Sequence, residues 1–219
     1  MYIRYNLIRK TPIVLLFLLP VLTAIGQPTP AEKETVLGII NFDNEGGFPT
    51  YNHGDTAIAK AENGQYVMDV RKSNREWTLH FGALNLATKP DIMEIKLKIE
   101  ADDIMASYGI GWNTVKTGPN RFDDYFILIE GPSMRIVKSE NGKDVPLSGP
   151  GWLYSTAIHS RDFNVVRIEQ STDSLHRFYV NGELMFELKL PPTNLKSLAL
   201  WVDPHAALYV DYYKLAIKK

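Results

Sequence analysis

The 219-residue chain contains no cysteine. That absence excludes disulfides, thiol nucleophiles, thiolate-bound metals and lipid attachment through a sulfur. Helical periodicity is missing too: no window of about 11 residues carries apolar side chains at i, i+3, i+4 and i+7. The nearest segment, Met93 to Met105, is period two instead, because Ile92, Glu94, Lys96 and Lys98 alternate with Met93, Ile95, Leu97 and Ile99. Clustered positive charge is also scarce. Past the N-terminal region no run of Lys and Arg exceeds a pair, which argues against DNA and RNA as partners, since both need a basic face.

The N-terminus reads as a targeting segment. Arg4, Arg9 and Lys10 precede an apolar run, Ile13 to Ile25, interrupted only by Pro20 and Thr23. Ala24-Ile25-Gly26 then puts small residues where a signal peptidase reads, with Gln27 as the first mature residue. The run is shorter than the roughly 20 residues of a bilayer span; the alternative is an uncleaved N-terminal anchor. The expected organisation is a signal peptide over 1–26, a linker over 27–35 and one domain over 36–219, secreted or periplasmic, with no membrane span after cleavage. The leader takes three of the 24 Lys and Arg with it, leaving 21 against 25 Asp and Glu, a formal charge of −4.

Strands and turns fill the remainder. Asn63-Gly64, Asn141-Gly142 and Asn181-Gly182 each stand between strand-like runs. Asn-Gly tolerates φ > 0 at both central positions of a type I′ turn, whose twist matches the strands it joins. The clearest case is Arg177 to Phe186, a hairpin expected to pair Val180 with Glu183, Tyr179 with Leu184, Phe178 with Met185 and Arg177 with Phe186. In that register Tyr179, Leu184, Phe186 and Leu188 face a core. Phe178, Val180 and Met185 share the other face with His176, Glu183 and Glu187, apolar enough to need a cover. About ten to thirteen short strands without helices imply an all-β fold, two packed antiparallel sheets or a barrel.

Four segments carry a resemblance: Phe163-Asn164-Val165-Val166-Arg167-Ile168-Glu169, the Phe178 to Phe186 hairpin, Ser197-Leu198-Ala199-Leu200-Trp201-Val202, and Val210-Asp211-Tyr212-Tyr213-Lys214-Leu215. Together they resemble the C-terminal half of the concanavalin A-like (laminin-G-like) jelly rolls. Within that group the chain is most similar to secreted bacterial proteins related to the 3-keto-disaccharide hydrolase domain. Tyr108 to Asn113 and Asp123 to Ile129 are similar to the middle strands, so the resemblance spans about Leu37 to Ile217. It implies a two-sheet jelly-roll β-sandwich and a carbohydrate or glycan as the ligand.

Laminarinase-type jelly rolls carry acid and nucleophile on one strand at i and i+4 or i+5, about 5 Å apart. Neither Glu-x-Asp-x-Glu nor Glu-x-Asp-x-x-Glu occurs here, and Glu94 and Glu100, six residues apart, would stand about 20 Å from each other on a strand. No catalytic residue is assigned on sequence. His53, His80, His159, His176 and His205 show no His-x-His or His-Glu-x-x-His spacing; isolated histidines ordinarily serve as surface or hydrogen-bonded fillers. His205 stands out slightly, because Asp203-Pro204-His205 forms a tight connection after an apolar strand, where binding groups concentrate.

Asp43 and Asp211, on the opening and closing strands, are the candidate ligands for a structural calcium, the only cofactor considered; calcium needs six to eight oxygens. Solvated turns account for the other acidic pairs. Sugar rings stack their C–H faces on aromatic side chains and present polar edges to Asn, Asp, Arg or His. On that chemistry the candidate ligand-binding residues are Trp152, in the Gly149-Pro150-Gly151 loop, with Tyr154, Asn113, Asp203 and His205. If Ile110 and Trp112 enter the core, Gly109 and Gly111 leave an open shelf beside Asn113. The leading reading is a glycan-binding module. The alternatives are a hydrolase or lyase acting on a modified disaccharide, using a carboxylate with a metal or with Arg121 or Arg135, and an adhesion or assembly module with a protein partner.

Overall fold

The computed structural model describes residues 33–43, 48–119, 121–140 and 142–219; the targeting segment and most of the linker lie outside the described residues. Every paired strand is antiparallel, and the strands form two sheets. The larger runs β14 (Glu183–Lys189), β13 (Leu175–Val180), β12 (Asn164–Gln170), β6 (Ile92–Ala101), β16 (Ala206–Lys218), β4 (Gln65–Asp69), β3 (Ala57–Glu62), β2 (Tyr51–His53). Its ninth strand, β1 (Glu34–Ile40), pairs with the C-terminal part of β16, so Glu34 and Thr35, read from sequence as linker, already belong to a strand. The smaller sheet runs β10 (Lys143–Pro146), β9 (Ser133–Glu140), β8 (Arg121–Glu130), β7 (Ser107–Gly118), β15 (Leu198–Val202), β5 (Trp77–Phe81), with β11 (Leu153–Tyr154) added to β9.

Alternation decides which side chains lie between the sheets. On β6, Met93, Ile95, Leu97 and Ile99 are buried, and Glu94, Lys96 and Lys98 point the other way. On β7, Tyr108, Ile110 and Trp112 enter the core, where Trp112 stacks on Tyr125 with ring centroids 5.4 Å apart. Burying such aliphatic and aromatic side chains between two sheets is the main favourable contribution to folding.

The Asn-Gly turns form where both residues are described. Asn63 and Gly64 have φ of 52° and 75°, Asn181 and Gly182 of 50° and 84°, each closing a two-residue hairpin. Asn141 lies outside the described residues, but Glu140 and Lys143 pair across it, and Gly142 has φ 73°.

In the last hairpin the facing of Tyr179, Leu184, Phe178 and Val180 is the reverse of the sequence expectation, whereas Phe186 and Leu188 face the core as expected. Val180 does pair with Glu183 and Tyr179 with Leu184, but a bulge follows, and Phe178 pairs with Phe186 rather than Met185. His176, Phe178 and Val180 are completely buried, Tyr179 is half-buried and Leu184 is 47% exposed. The bulge adds one residue to β14 and so reverses its facing. Phe186 and Leu188 thereby pack against the core on the same side as Phe178. The apolar set that sequence left uncovered is covered by the opposite sheet.

Candidate functional site

The two outer faces of the sandwich differ in chemistry. On the larger sheet Arg167 pairs with Glu34, with Glu94 at 3.0 Å and with Glu169 at 2.8 Å, while Lys214 reaches Glu94 and Lys218 reaches Glu169, both at 2.8 Å. Burial alone would raise Glu94, but hydrogen bonds from Lys214, Tyr212 and Arg167 hold its carboxyl below the usual range. Glu169 is likewise held down against burial by Lys218 and Arg167. These six charges answer one another.

The outer face of the smaller sheet is apolar at its centre. β8 reads Asp124-Tyr125-Phe126-Ile127-Leu128-Ile129, so both faces of the strand are apolar. Tyr125, Ile127 and Ile129 belong to the main core, whereas Phe126 and Leu128 join Val137 and Ala199 in a second cluster, with Trp152 and Trp201 packed against it. The register fixes the layout. His80, Ala199, Gly111, Phe126 and Val137 form one row across the strands, and Thr78, Trp201, Gly109, Leu128 and Arg135 form the next.

The glycines do not form an open shelf. A Cβ on Gly111 would stand 2.7 Å from the Phe126 ring, and one on Gly109 would stand 2.1 Å from the Ile127 carbonyl oxygen and 2.9 Å from Leu128. Phe126 and Leu128 lie over the space that two missing side chains leave, so the glycines support an aromatic and aliphatic floor.

Polar groups sit around that floor. His80 Nε2 is 3.0 Å from Asp124 Oδ2, and the imidazole stacks on Phe122 with centroids 3.9 Å apart. Asp124 is 97% buried, and its second oxygen, Oδ1, has no hydrogen-bond partner. Arg135 holds its guanidinium 4.5 Å from the centre of the Trp152 ring, with Nε buried and unbonded.

Two cavities follow this face. One of about 660 Å³ is lined by His80, Arg121, Phe122 and Asp124; another of about 540 Å³ is lined by Glu76, Arg135, Asp144, Trp201 and Asp203. They share Thr78, Phe126, Ser139 and Gly142 and so form one groove. Apolar floor with a few convergent polar groups is the usual make-up of a small-molecule site.

The residues expected from sequence are distributed unevenly around it. Trp152 packs on the floor and Asp203 lines the groove, where its Oδ2 accepts from the Ser107 amide at 2.6 Å. Tyr154 is 69% exposed on β11, opposite Ser133, and lines neither cavity. Asn113 has φ 56°, and its Oδ1 accepts from the Asn194 amide at 2.8 Å, so it clamps a loop where β7 bulges. His205 sits in the turn between β15 and β16 with φ 60°, Nδ1 3.2 Å from the Arg71 carbonyl oxygen, and lines neither of these cavities. Asp211 sits at the bulge in β16 and pairs with Lys96 at 2.7 Å; Asp43 accepts from Asn41 Nδ2 at 2.7 Å. An ammonium thus stands beside Asp211, where a bound cation would otherwise be expected. Among the described residues no three His, Asp or Glu side chains gather as a metal site.

The sequence offers Arg135 only under the hydrolase alternative, and His80 and Asp124 only as an isolated histidine and half of a turn-like acidic pair. His80 and Asp124 are 44 residues apart, so no local spacing announces their contact. The signal that did exist is the two-faced apolarity of β8, which marks a strand with something on its outer side.

No protein-family model and no curated protein matches the sequence. Solved structures do match in shape. The GlcNAcα1-4Gal-releasing endo-β-galactosidase from Clostridium perfringens aligns at TM-score 0.57 and 11% identity over 87% of this chain and 65% of its own. An endo-acting O-glycanase study of human gut bacteria contributes a chain at TM-score 0.56 and 11% identity, over 84% of this chain and all of that one. The carbohydrate recognition domain of Emp46p aligns at TM-score 0.50 and 13% identity, over 73% and 85%. The fold is therefore the concanavalin A-like jelly-roll sandwich. Among the described residues no helix is long and apolar enough to cross a membrane.

Proposed function

We propose that the groove on the outer face of the smaller sheet binds a carbohydrate. The observation that carries the reading is the second apolar cluster outside the main core, of which Phe126, Leu128, Val137 and Trp201 line two joined cavities while Ala199 and Trp152 pack beside them. An apolar floor rimmed by His80, Asp124, Arg135, Ser139 and Asp203 suits a pyranose, which has apolar faces and hydroxyl edges. The shape neighbours support the reading, being themselves a glycanase, a galactosidase and a carbohydrate recognition domain. A cleaved leader over 1–26 would deliver the module to the periplasm or the exterior, where glycans are met. The test is a glycan array probed with the purified chain, followed by titration of the bound glycan against Trp152→Ala.

A second reading, catalysis, is favoured by the His80–Asp124 pair, since a carboxylate that orients an imidazole is a common device for proton transfer. On that reading the relation to the 3-keto-disaccharide hydrolase domain becomes functional. Release of new reducing ends or unsaturated sugars from the bound glycan, abolished by His80→Gln, would establish it; unchanged glycan after prolonged incubation would leave binding alone.

A further inference from the structure

We infer that the glycan bears an isolated anionic group, a carboxylate or a sulfate ester, which docks on Arg135. The inference rests on the groove being the glycan site. Of the other arginines among the described residues, Arg71, Arg167 and Arg177 each pair with a carboxylate, and Arg75, Arg121 and Arg161 are exposed, whereas Arg135 is partly buried. Arg135 lines the 540 Å³ cavity, and no ion pair or hydrogen bond is made by its guanidinium among the described residues. What it does contact is the Trp152 ring at 4.5 Å. With Nε buried against the protein, the two terminal amino groups remain to donate to two oxygens of one oxyanion.

The surrounding carboxylates are placed to leave that charge unanswered. Glu130 is the nearest by register, one strand over and two residues on, but its Oε2 accepts from Ser107 Oγ at 3.1 Å. Asp144 pairs with Ser139, four residues along β9 from Arg135, which is about 13 Å of strand. Asp203 lies at the end of β15, three strands away, bonded to the Ser107 amide. A partly buried cation without a counter-charge is costly unless a ligand supplies one. The same three carboxylates, with Glu76 and Asp124, repel a chain charged on every unit. The ligand that fits is a mostly neutral oligosaccharide with one acidic residue, stacked on Trp201 or the floor and anchored beside Trp152.

The experiment is an array of neutral glycans printed beside their sulfated, sialylated and uronic acid counterparts, probed with the full chain and with Arg135→Gln. Singly anionic members should bind at least tenfold more strongly than their neutral counterparts, and Arg135→Gln should remove that margin by weakening the anionic members at least tenfold more than the neutral ones. The sulfated and carboxylated arms report which oxyanion is preferred. Arg135→Lys, which keeps the charge but loses the fork, should fall between the two, and raising the salt should weaken only the anionic members. Neutral and anionic members binding alike, or Arg135→Gln binding as the parent does, overturns the inference. Neutral glycans bound in a Trp152-dependent way with no anionic preference would leave the groove's function standing. Binding of no glycan at all overturns both.

Discussion

His80 Nε2 lies 3.0 Å from Asp124 Oδ2 although β15 and β7 run between their strands. Three strand spacings amount to about 14 Å, so both side chains must lean inward over the row they cross. That row holds Ala199 and Gly111, the smallest residues available. A side chain at Gly111 would meet the Phe126 ring at 2.7 Å and the Ala199 methyl at 2.9 Å.

The bridge carries energy of its own. Charge-assisted hydrogen bonds of this kind contribute roughly 1.5–3 kcal/mol. A double-mutant cycle of His80→Gln and Asp124→Asn, read by urea unfolding, should return a coupling in that range. A coupling near zero would mean the contact is incidental to stability.

Glycine is required under Leu128 for a backbone reason. A Cβ on Gly109 would stand 2.1 Å from the Ile127 carbonyl oxygen, which cannot rotate away. Gly109→Ala should cost at least about 2–3 kcal/mol of unfolding free energy, at the upper end of overpacking. Gly82→Ala, where nothing lies within 4 Å, is the control and should change stability by about 0.5 kcal/mol at most, as surface changes usually do.

The second Asn-Gly residue pair of the C-terminal half is more than a turn. Asn181 Oδ1 accepts from the Val165 amide at 2.7 Å, and its Nδ2 donates to the Ala157 carbonyl at 2.7 Å and to Asn164 Oδ1 at 2.8 Å. Asn181→Gly keeps the left-handed backbone and loses these bonds; Asn181→Ala loses both. Denaturation midpoints should rank Asn above Gly above Ala, with Ala costing about 2–4 kcal/mol from unmade bonds and the left-handed penalty. Equal midpoints for Gly and Ala would show that backbone conformation plays no part.

Acid should unfold the protein in two stages. Burial pushes His176 below the ordinary histidine value of 6.5, the Ser174 carbonyl opposing and Lys89 adding to the effect. Its ring nitrogens are occupied by Ser174 O, Gln170 Oε1 and Thr193 Oγ1. A depressed folded pKa means the unfolded chain takes the proton first, so this stability is complete above about pH 6.5 and declines as pH falls below it. Glu94 and Glu169 follow the same sign from about pH 4.5 downward. His176→Gln should abolish the first stage and leave the second, measured as melting temperature against pH. A first stage that survives the substitution would assign it elsewhere.

How much of this the sequence discloses varies with the range of the cause. Strand β6 and the turns at Asn63-Gly64 and Asn181-Gly182 are legible because alternation and turn chemistry are local. The hairpin's facing is only half legible: alternation alone does not say which face of β13 is inward, and one bulge in β14 is what brings Phe186 and Leu188 to the core side. Trp152 was identifiable from its loop, and it does reach the groove floor. Asn113 looked like a ligand contact and is a loop clamp, since its partner Asn194 is 81 residues away. His80, Asp124 and Arg135 are brought together only by the order β5, β15, β7, β8, β9, which is a property of the topology.

The central claim is that the groove beside Trp152 holds a glycan. Its most direct test is titration of an array-selected oligosaccharide into the full chain and into Trp152→Ala, followed by tryptophan fluorescence and calorimetry. Saturable binding with a fluorescence change is expected in the parent, weakened at least about tenfold (1.4 kcal/mol) in the variant. Binding of equal strength in the two proteins would contradict that claim.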